Sequence, residues 1–482
     1  MNLDLIIGGM PRGGTSAIAD LFNCSDNAYC YYGETHWVPL MMEFALHGPA
    51  PSTSLKQMSE ILLHENKHVL IEMMRYAIKL GSADEKILIF DDADIPVISE
   101  QIMAFVASGL YGAELLKAVL GVMRQHLSDK TGKQFIGEKT PSNVFGFAKF
   151  GTVGADRALM IIREPFSVIR SMRKRTEQSE DIYANPFREN IWPLIGHWIE
   201  YADAMLTADN FSNTKVVRYE DHLSGDIENV MELVNWSGLQ DKTGPLSRIE
   251  QEKMARHFKQ TVPAQVSFEN LGFFSKEAAL VWYLTHAFRK DFDYQGDFFS
   301  SRLGLTPTFD TSSISLENAI IPLSGFIHTS LDPNTNDPFW LKESGFLAIT
   351  AQKGFKQANC QTFFTFPERL RDEYCPIDLK FYDAYAGHSG LKDANAIGHV
   401  QLNRNDSEGP QIAIDLRQCT PVLETTDGDI FLIKYTSSLS FRPFLQPVQP
   451  DLESVRNFIP EYSTGRDRQE YSFMMHSFSF TD

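Results

Sequence analysis

No stretch of the 482-residue chain holds the roughly 18 consecutive apolar residues that a membrane-spanning helix needs. Basic residues are in deficit: 44 Lys and Arg stand against 62 Asp and Glu, a net charge of -18. A non-specific nucleic-acid binder needs a basic surface to release counterions, so this balance excludes that class of partner. Cysteine is scarce. Cys24, Cys30, Cys360, Cys375 and Cys419 are odd in number, scattered and without a CxxC pair, which argues against a disulfide framework or a zinc site and for buried thiols in a reducing compartment. The opening MNLDLIIGGMPRGG has no basic n-region, and glycine and proline cut its apolar run short, unlike a secretory leader. The expected location is cytoplasmic. Internal repeats and low-complexity tracts are also missing.

What is there is globular. Hydrophobic residues make up 43% and charged residues 22%, and the length calls for more than one core. The first half alternates strands and helices. Leu3 to Ile7, Ala158 to Ile162 and Lys215 to Arg218 read as short apolar strands. Helices are expected at Ser16 to Phe22, with Thr15 and Ser16 placed to cap it, and at Leu55 to Leu80, Ile98 to Leu127, Ser167 to Arg175, Ile227 to Trp236 and Lys276 to Arg289. Such alternation predicts a parallel sheet flanked by helices, with ligands beyond the carboxyl ends of its strands. Past about residue 305 the period changes to two: Ile412, Ile414 and Leu416 alternate with Ala413, Asp415 and Arg417. Similar runs occur at Phe346 to Thr350, Thr362 to Phe366, Leu379 to Tyr385 and Ile430 to Tyr435, predicting a β-rich sandwich or barrel over 306–482.

Chemistry concentrates in residues 6–16, IIGGMPRGGTS: strand, glycine-rich turn, helix start. An anion placed there meets unpaired N–H groups and the positive end of a helix dipole. Pro11 and Arg12 form the turn, Gly13 and Gly14 let the backbone approach closely, and Thr15 and Ser16 offer hydroxyls. A nucleotide triphosphatase loop, GxxxxGK[ST], would put lysine where Gly14 stands, and the basic residue has moved inside the loop to Arg12. A second basic turn follows the strand at Ala158 to Ile162, in IIREPFSVIRSMRKR, residues 161–175. There Arg163 is a planar fork of donors suited to phosphate, Ser171 stands about two helical turns on, and Arg175 one turn further. Arg170, Arg173 and Lys174 read as a solvated helix face.

These two motifs, in this order, resemble the 5'-phosphosulfate loop and 3'-phosphate site of the sulfotransferase family, in the branch whose loop reads Pro-Arg-x-Gly-Thr. IGEKTPSN, residues 136–143, is similar to the segment that lies beside the reactive sulfate in that family. VVRYEDHLS, residues 216–224, is similar to its strand-end segment, which implies that Tyr219 lies close to the nucleotide. WYLTHAFRKDFDY resembles the last helix and aromatic close of bacterial members. The resemblance covers 1–305 and implies a sulfotransferase fold that moves the sulfuryl group of 3'-phosphoadenosine 5'-phosphosulfate to an acceptor hydroxyl. The product would be adenosine 3',5'-bisphosphate, and no metal would be needed. DPNTNDPFWLKE, residues 332–343, has EF-hand-like spacing but lacks the required glycine and flanking helices, and reads as a polar loop.

Within that resemblance Arg12 and Lys139 supply positive charge to the group in flight, as in phosphoryl transfer. YYGETHWVP, residues 31–39, is similar to the stretch holding the base of tyrosylprotein sulfotransferases, which maps the base onto Glu34, with a shorter gap before Pro39. His36 is the rival, its ordinary pKa being nearest neutrality. An insertion over about 40–133 would shape the acceptor pocket, where Trp37, Met41, Met42, Met73, Met74 and Tyr76 offer apolar walls, and Asp91 to Pro96 either orients a polyhydroxylated or cationic acceptor or forms a solvated turn. The expected acceptor is a carbohydrate, a small alcohol or a phenol. The β-rich region is open between acceptor recognition, homo-oligomer formation and a second catalytic domain. Two other readings of the whole remain: a P-loop nucleotide kinase or hydrolase, and a non-catalytic nucleotide-binding scaffold.

Overall fold

A computed structural model of the chain describes residues 2–31, 34–35, 94–108, 110, 112–152, 154–178, 190–222, 226–258, 268, 272–303, 305, 307–309, 311, 314, 316–328, 339–364, 377–391, 394–402, 411–437 and 473–481. They fall into two compact units, one built on Met1–Arg163 and Ala204–Val262, the other on Glu164–Asp203, Pro263–Pro443 and Thr464–Asp482.

The first unit is a five-stranded, wholly parallel sheet: β1 (Leu3–Gly9), β2 (Ala28–Tyr31), β3 (Phe135–Lys139), β4 (Ala155–Ile162) and β5 (Thr214–Arg218), in the order β2-β3-β1-β4-β5. Every residue of β1 is buried, as expected of a central parallel strand covered on both faces. Leu5 and Ile7 pack against α1 (Thr15–Phe22), with Val230 and Leu233 of a later helix and Met254 of another completing that core. On the other face, α3 (Gly112–Thr131) and a helix at Asn143–Phe150 cover β1, and α2 (Asp94–Ala107) packs on α3. Leu115, Leu116, Val119, Leu120, Met123 and Leu127 form the buried face of α3, with Val122 and His126 half-buried beside it.

The span expected as one helix over 98–127 is two, α2 and α3. Ser108 closes α2 by donating its hydroxyl to the Phe105 carbonyl at 2.7 Å. Asp94, at the start of α2, pairs with Lys130 at 3.1 Å, so it is not a bare solvated turn. The expected helix at 55–80 and the apolar candidates from Trp37 to Tyr76 lie outside the described residues, as do Asp91 to Ala93.

The second unit carries a nine-stranded antiparallel sheet: β6 (Ala319–His328), β7 (Phe339–Gln352), β8 (Gln357–Phe364), β9 (Ile377–Asp383), β10 (Gly398–Leu402), β11 (Gln411–Asp415), β12 (Leu423–Glu424), β13 (Gly428–Ser437) and β14 (Phe473–Thr481). Its main path runs β10-β9-β13-β7-β14-β8-β11. The two end strands of that path meet: the Asp415 amide donates to the Ile397 carbonyl at 3.4 Å, and a Cβ on Gly398 would lie 3.0 Å from the Ala413 carbonyl oxygen. The sheet therefore curls until the two ends of its main path meet, as in a barrel. Alternate residues fill its interior, including Leu347 and Ile349, Leu379 and Phe381, Ile412 and Ile414, and Phe431, Ile433 and Tyr435. Helices at Pro165–Gln178, Ser275–Asp291 and Gly387–Leu391 belong to this unit.

The cysteines among the described residues are free thiols, three of them buried. Burial pushes Cys360 well above its ordinary range and Cys419 up to about 12. Cys375 lies outside the described residues. Among the described residues no helix is long and apolar enough to cross a membrane, and no cluster of His, Cys, Asp and Glu is arranged to hold a metal ion. Residues 332–338 of the EF-hand-like stretch lie outside the described residues, and Phe339 onward belongs to β7.

Candidate functional site

Parallel strands in register place their carboxyl ends along one edge. Ile7 pairs with Lys139, Gly9 with Ile161 and Ile162 with Arg218, so the chain leaves β3, β1, β4 and β5 at a common level. In sheet order these exits carry Glu34 after β2, Lys139, the loop at 10–14, Arg163 and Tyr219. The chain runs to one side after β1 and crosses to the other after β3, so the loops after β1 and β4 flank the point where the winding reverses. Doubly wound sheets bind ligands at such a point.

The loop is held open by backbone geometry. The Met10 amide donates to Ile161 at 3.2 Å and the Gly13 amide donates to Met10 at 2.8 Å. Between them Arg12 adopts φ 65, a left-handed conformation that costs a non-glycine residue about 1–2 kcal/mol. Gly14 has φ 107 and caps α1 without a side-chain bond. Thr15 and Ser16 therefore do not cap the helix, as the sequence suggested. Both lie inside its first turn, because Gly14 already occupies the left-handed cap. Thr15 is buried, Ser16 and Pro11 are half-buried and Arg12 is exposed. A Cβ on Gly14 would fall 2.5 Å from Tyr219 Cδ2. The position where a triphosphatase loop carries lysine thus has no room for any side chain, which argues against the kinase or hydrolase reading.

Tyr219 links the two loops. Its buried ring lies against Gly14, and the Arg163 guanidinium stacks over it at 4.8 Å from the ring centroid. Next to it Arg218 grips Asp221 with two nitrogens, at 2.8 and 3.1 Å, which fixes the turn that begins with Tyr219.

On the opposite flank Lys139, almost fully buried, meets Glu34 Oε1 at 2.9 Å. His36 lies outside the described residues. Behind this pair Glu138 is completely buried. It accepts hydrogen bonds from Thr140 Oγ1 at 2.6 Å, Asn143 Nδ2 at 2.7 Å and Thr35 Oγ1 at 2.9 Å. Burial raises its pKa above the ordinary carboxylate value, and these hydrogen bonds and Lys139 oppose the rise. From the sequence, Glu138 beside Lys139 could be a surface ion pair; instead both are buried and Lys139 pairs with Glu34, while Thr35 and Asn143 carried no expectation. A signal was there: the run from Glu138 to Asn143 puts two short donors within reach of one strand-borne carboxylate.

Ser171 and Arg175 lie in the second unit, on the helix Pro165–Gln178, Ser171 half-buried and Arg175 exposed. Arg170 and Lys174 are exposed as expected, but Arg173 is not part of a solvated face. It is half-buried, ion-paired with Glu277 and stacked on Phe273 at 5.5 Å. Glu164, also missed, is fully buried and caps this helix by accepting from the amides of Phe166 at 2.8 Å and Ser167 at 2.7 Å.

No family model matches the chain, and no curated protein does. Solved structures to which it is similar include sulfotransferases. Sulfotransferase STF9 from Mycobacterium avium is 15% identical with a TM-score of 0.33, covering 60% of this chain and 76% of that one. The sulfotransferase domain of the Synechococcus PCC 7002 olefin synthase is 14% identical with a TM-score of 0.29, covering 54% and 95%. The sulfotransferase domain from the curacin biosynthetic pathway is 16% identical with a TM-score of 0.28, covering 52% and 77%.

Proposed function

We propose that the chain is a sulfotransferase that uses 3'-phosphoadenosine 5'-phosphosulfate as donor and sulfates a hydroxyl on a carbohydrate, small alcohol or phenol. The single observation that carries this reading is Tyr219, packed against Gly14 of one anion loop and beneath Arg163 of the other. One aromatic ring spanning two anion cradles suits a nucleotide with phosphate at both ends. The Arg12 conformation, the glycine at 14 and the absence of a side-chain cap on α1 suit a phosphate-like group at the loop.

When bound, the donor supplies a sulfuryl group on a phosphate leaving group. Pro11, Arg12, Gly13, Gly14, Thr15 and Ser16 would cradle its 5' end, and Arg163 its 3'-phosphate, with Tyr219 beside the nucleotide. Ser171 and Arg175 keep the 3'-phosphate role that the resemblance gives them, to be read from the bisphosphate affinity of Ser171→Ala and Arg175→Ala. Glu34 takes the acceptor's hydroxyl proton as the new oxygen–sulfur bond forms and the old one breaks. Arg12 and Lys139 meet the charge that develops on the departing oxygen. This chemistry gives a metal ion no task.

Labelled sulfate on the donor, offered with a panel of hydroxyl acceptors, tests the reading. Transfer to at least one acceptor is expected. Glu34→Gln should lower turnover about a hundred- to ten-thousandfold with bisphosphate affinity retained, as for loss of a general base. No transfer to any acceptor, or a Glu34→Gln rate equal to wild type, would contradict it.

A further inference from the structure

Two consecutive residues of β3 hold two consecutive residues after β2. Lys139 Nζ meets Glu34 Oε1 at 2.9 Å, and one residue earlier Glu138 Oε1 accepts from the Thr35 hydroxyl at 2.9 Å and from the Thr35 amide at 3.5 Å. Taken alone, an ion pair between two long side chains loses entropy in holding one geometry and swings easily. Thr35 removes that freedom from the backbone beneath Glu34, because its amide and hydroxyl both end on a carboxylate that cannot move.

Glu138 is fixed by what else it binds. Thr140 Oγ1 and Asn143 Nδ2 take its remaining acceptor positions, and Asn143 Nδ2 also donates to the Ile7 carbonyl of β1 at 3.0 Å. Three of these donors converge on Oε1 and Asn143 Nδ2 takes Oε2, so both oxygens are held. A fully buried carboxylate is tolerated only when so satisfied. The chain of bonds runs from β1, the strand that feeds the anion loop, through Asn143 and Glu138 to Thr35.

We propose that Glu138 is a positioning residue: acting through Thr35, it fixes the direction from which the Glu34 carboxylate approaches the acceptor hydroxyl. This rests on the reading of Glu34 as the base.

The test compares Thr35→Val, which removes one hydroxyl at nearly constant volume, with Thr35→Ser, which keeps it, and with Glu138→Gln. Release of adenosine 3',5'-bisphosphate from the donor, with p-nitrophenol supplied and water as the other acceptor, gives kcat. Calorimetry gives bisphosphate affinity, and hydrogen exchange reports the segment around residues 34 and 35. Thr35→Val and Glu138→Gln should lower kcat about ten- to a hundredfold, as misplacement of a catalytic group does, with affinity within about twofold of wild type. Thr35→Ser should keep the wild-type rate. Exchange should rise at residues 34 and 35 in the two impaired variants and stay constant over residues 10–16. Unchanged exchange, or affinity falling in step with kcat, would overturn the positioning role. A wild-type chain that binds no bisphosphate would instead overturn the reading beneath it, and the two failures are distinguishable.

Discussion

A single residue, Glu138, sets two demands against each other: a charge hidden from water and a set of donors that stabilise it. Burial wins, so its pKa in the folded chain stands above the ordinary 4.5. Between those two values the folded chain holds a proton that the unfolded chain has released. Stability therefore falls as pH rises through the window above 4.5, and Glu138→Gln lacks that fall. Urea midpoints collected across the window for both chains check this, and parallel curves would contradict it. Arg12 makes a different trade. Its left-handed backbone is kept at a cost, and strain of that kind gathers where a ligand is held. Charge and glycine pattern made the loop legible in the sequence. Glu138 was not legible as a clamp, because a carboxylate beside a lysine looks like an exposed ion pair until burial is known.

Among the elements, the helix Pro165–Gln178 depends most plainly on one cap. Glu164 satisfies two of its orphan amides, and its charge also favours the buried Arg289 guanidinium, whose pKa burial pushes down. Glu164→Ala is expected to cost about 1–2 kcal/mol in urea unfolding, the usual loss for a cap, with the larger end favoured by complete burial. A change near zero would mean that other groups take over those amides. The sequence revealed elements whose pattern is clean: β1 and β4 as apolar runs, and β11, where Ile412 and Ile414 are buried between exposed Gln411 and Ala413. It missed β3, FIGEK, because two charged residues mask a strand whose five positions are all buried. It also missed the helix Ile191–Ala208, where Pro193 and Gly196 look like breakers. Gly196 is needed there, since a Cβ would sit 2.0 Å from the Leu323 carbonyl oxygen. Strand β14 pairs with β8 from more than a hundred residues away, a relation no local pattern carries.

At the scale of the whole molecule, the parallel sheet turns a one-dimensional order of motifs into a row of functional groups. Five strand exits, arriving from segments far apart in the chain, place Glu34, Lys139, the Arg12 loop, Arg163 and Tyr219 along one edge. The alternation of strands and helices was enough to predict that edge. The contact between Tyr219 and both anion loops was not predictable, since it depends on how β5 ends beside β4. The β-rich unit has a filled interior and a main strand path whose two ends meet. Calorimetry of adenosine 3',5'-bisphosphate against ATP with magnesium, on wild type and Arg163→Ala, tests the two-cradle reading most directly. Wild type should bind the bisphosphate equally with and without chelator and bind ATP more weakly. Arg163→Ala should lose about ten- to a hundredfold in bisphosphate affinity, the value of charge-assisted bonds to phosphate. Tighter binding of magnesium ATP than of the bisphosphate, with no effect of Arg163→Ala, would contradict it.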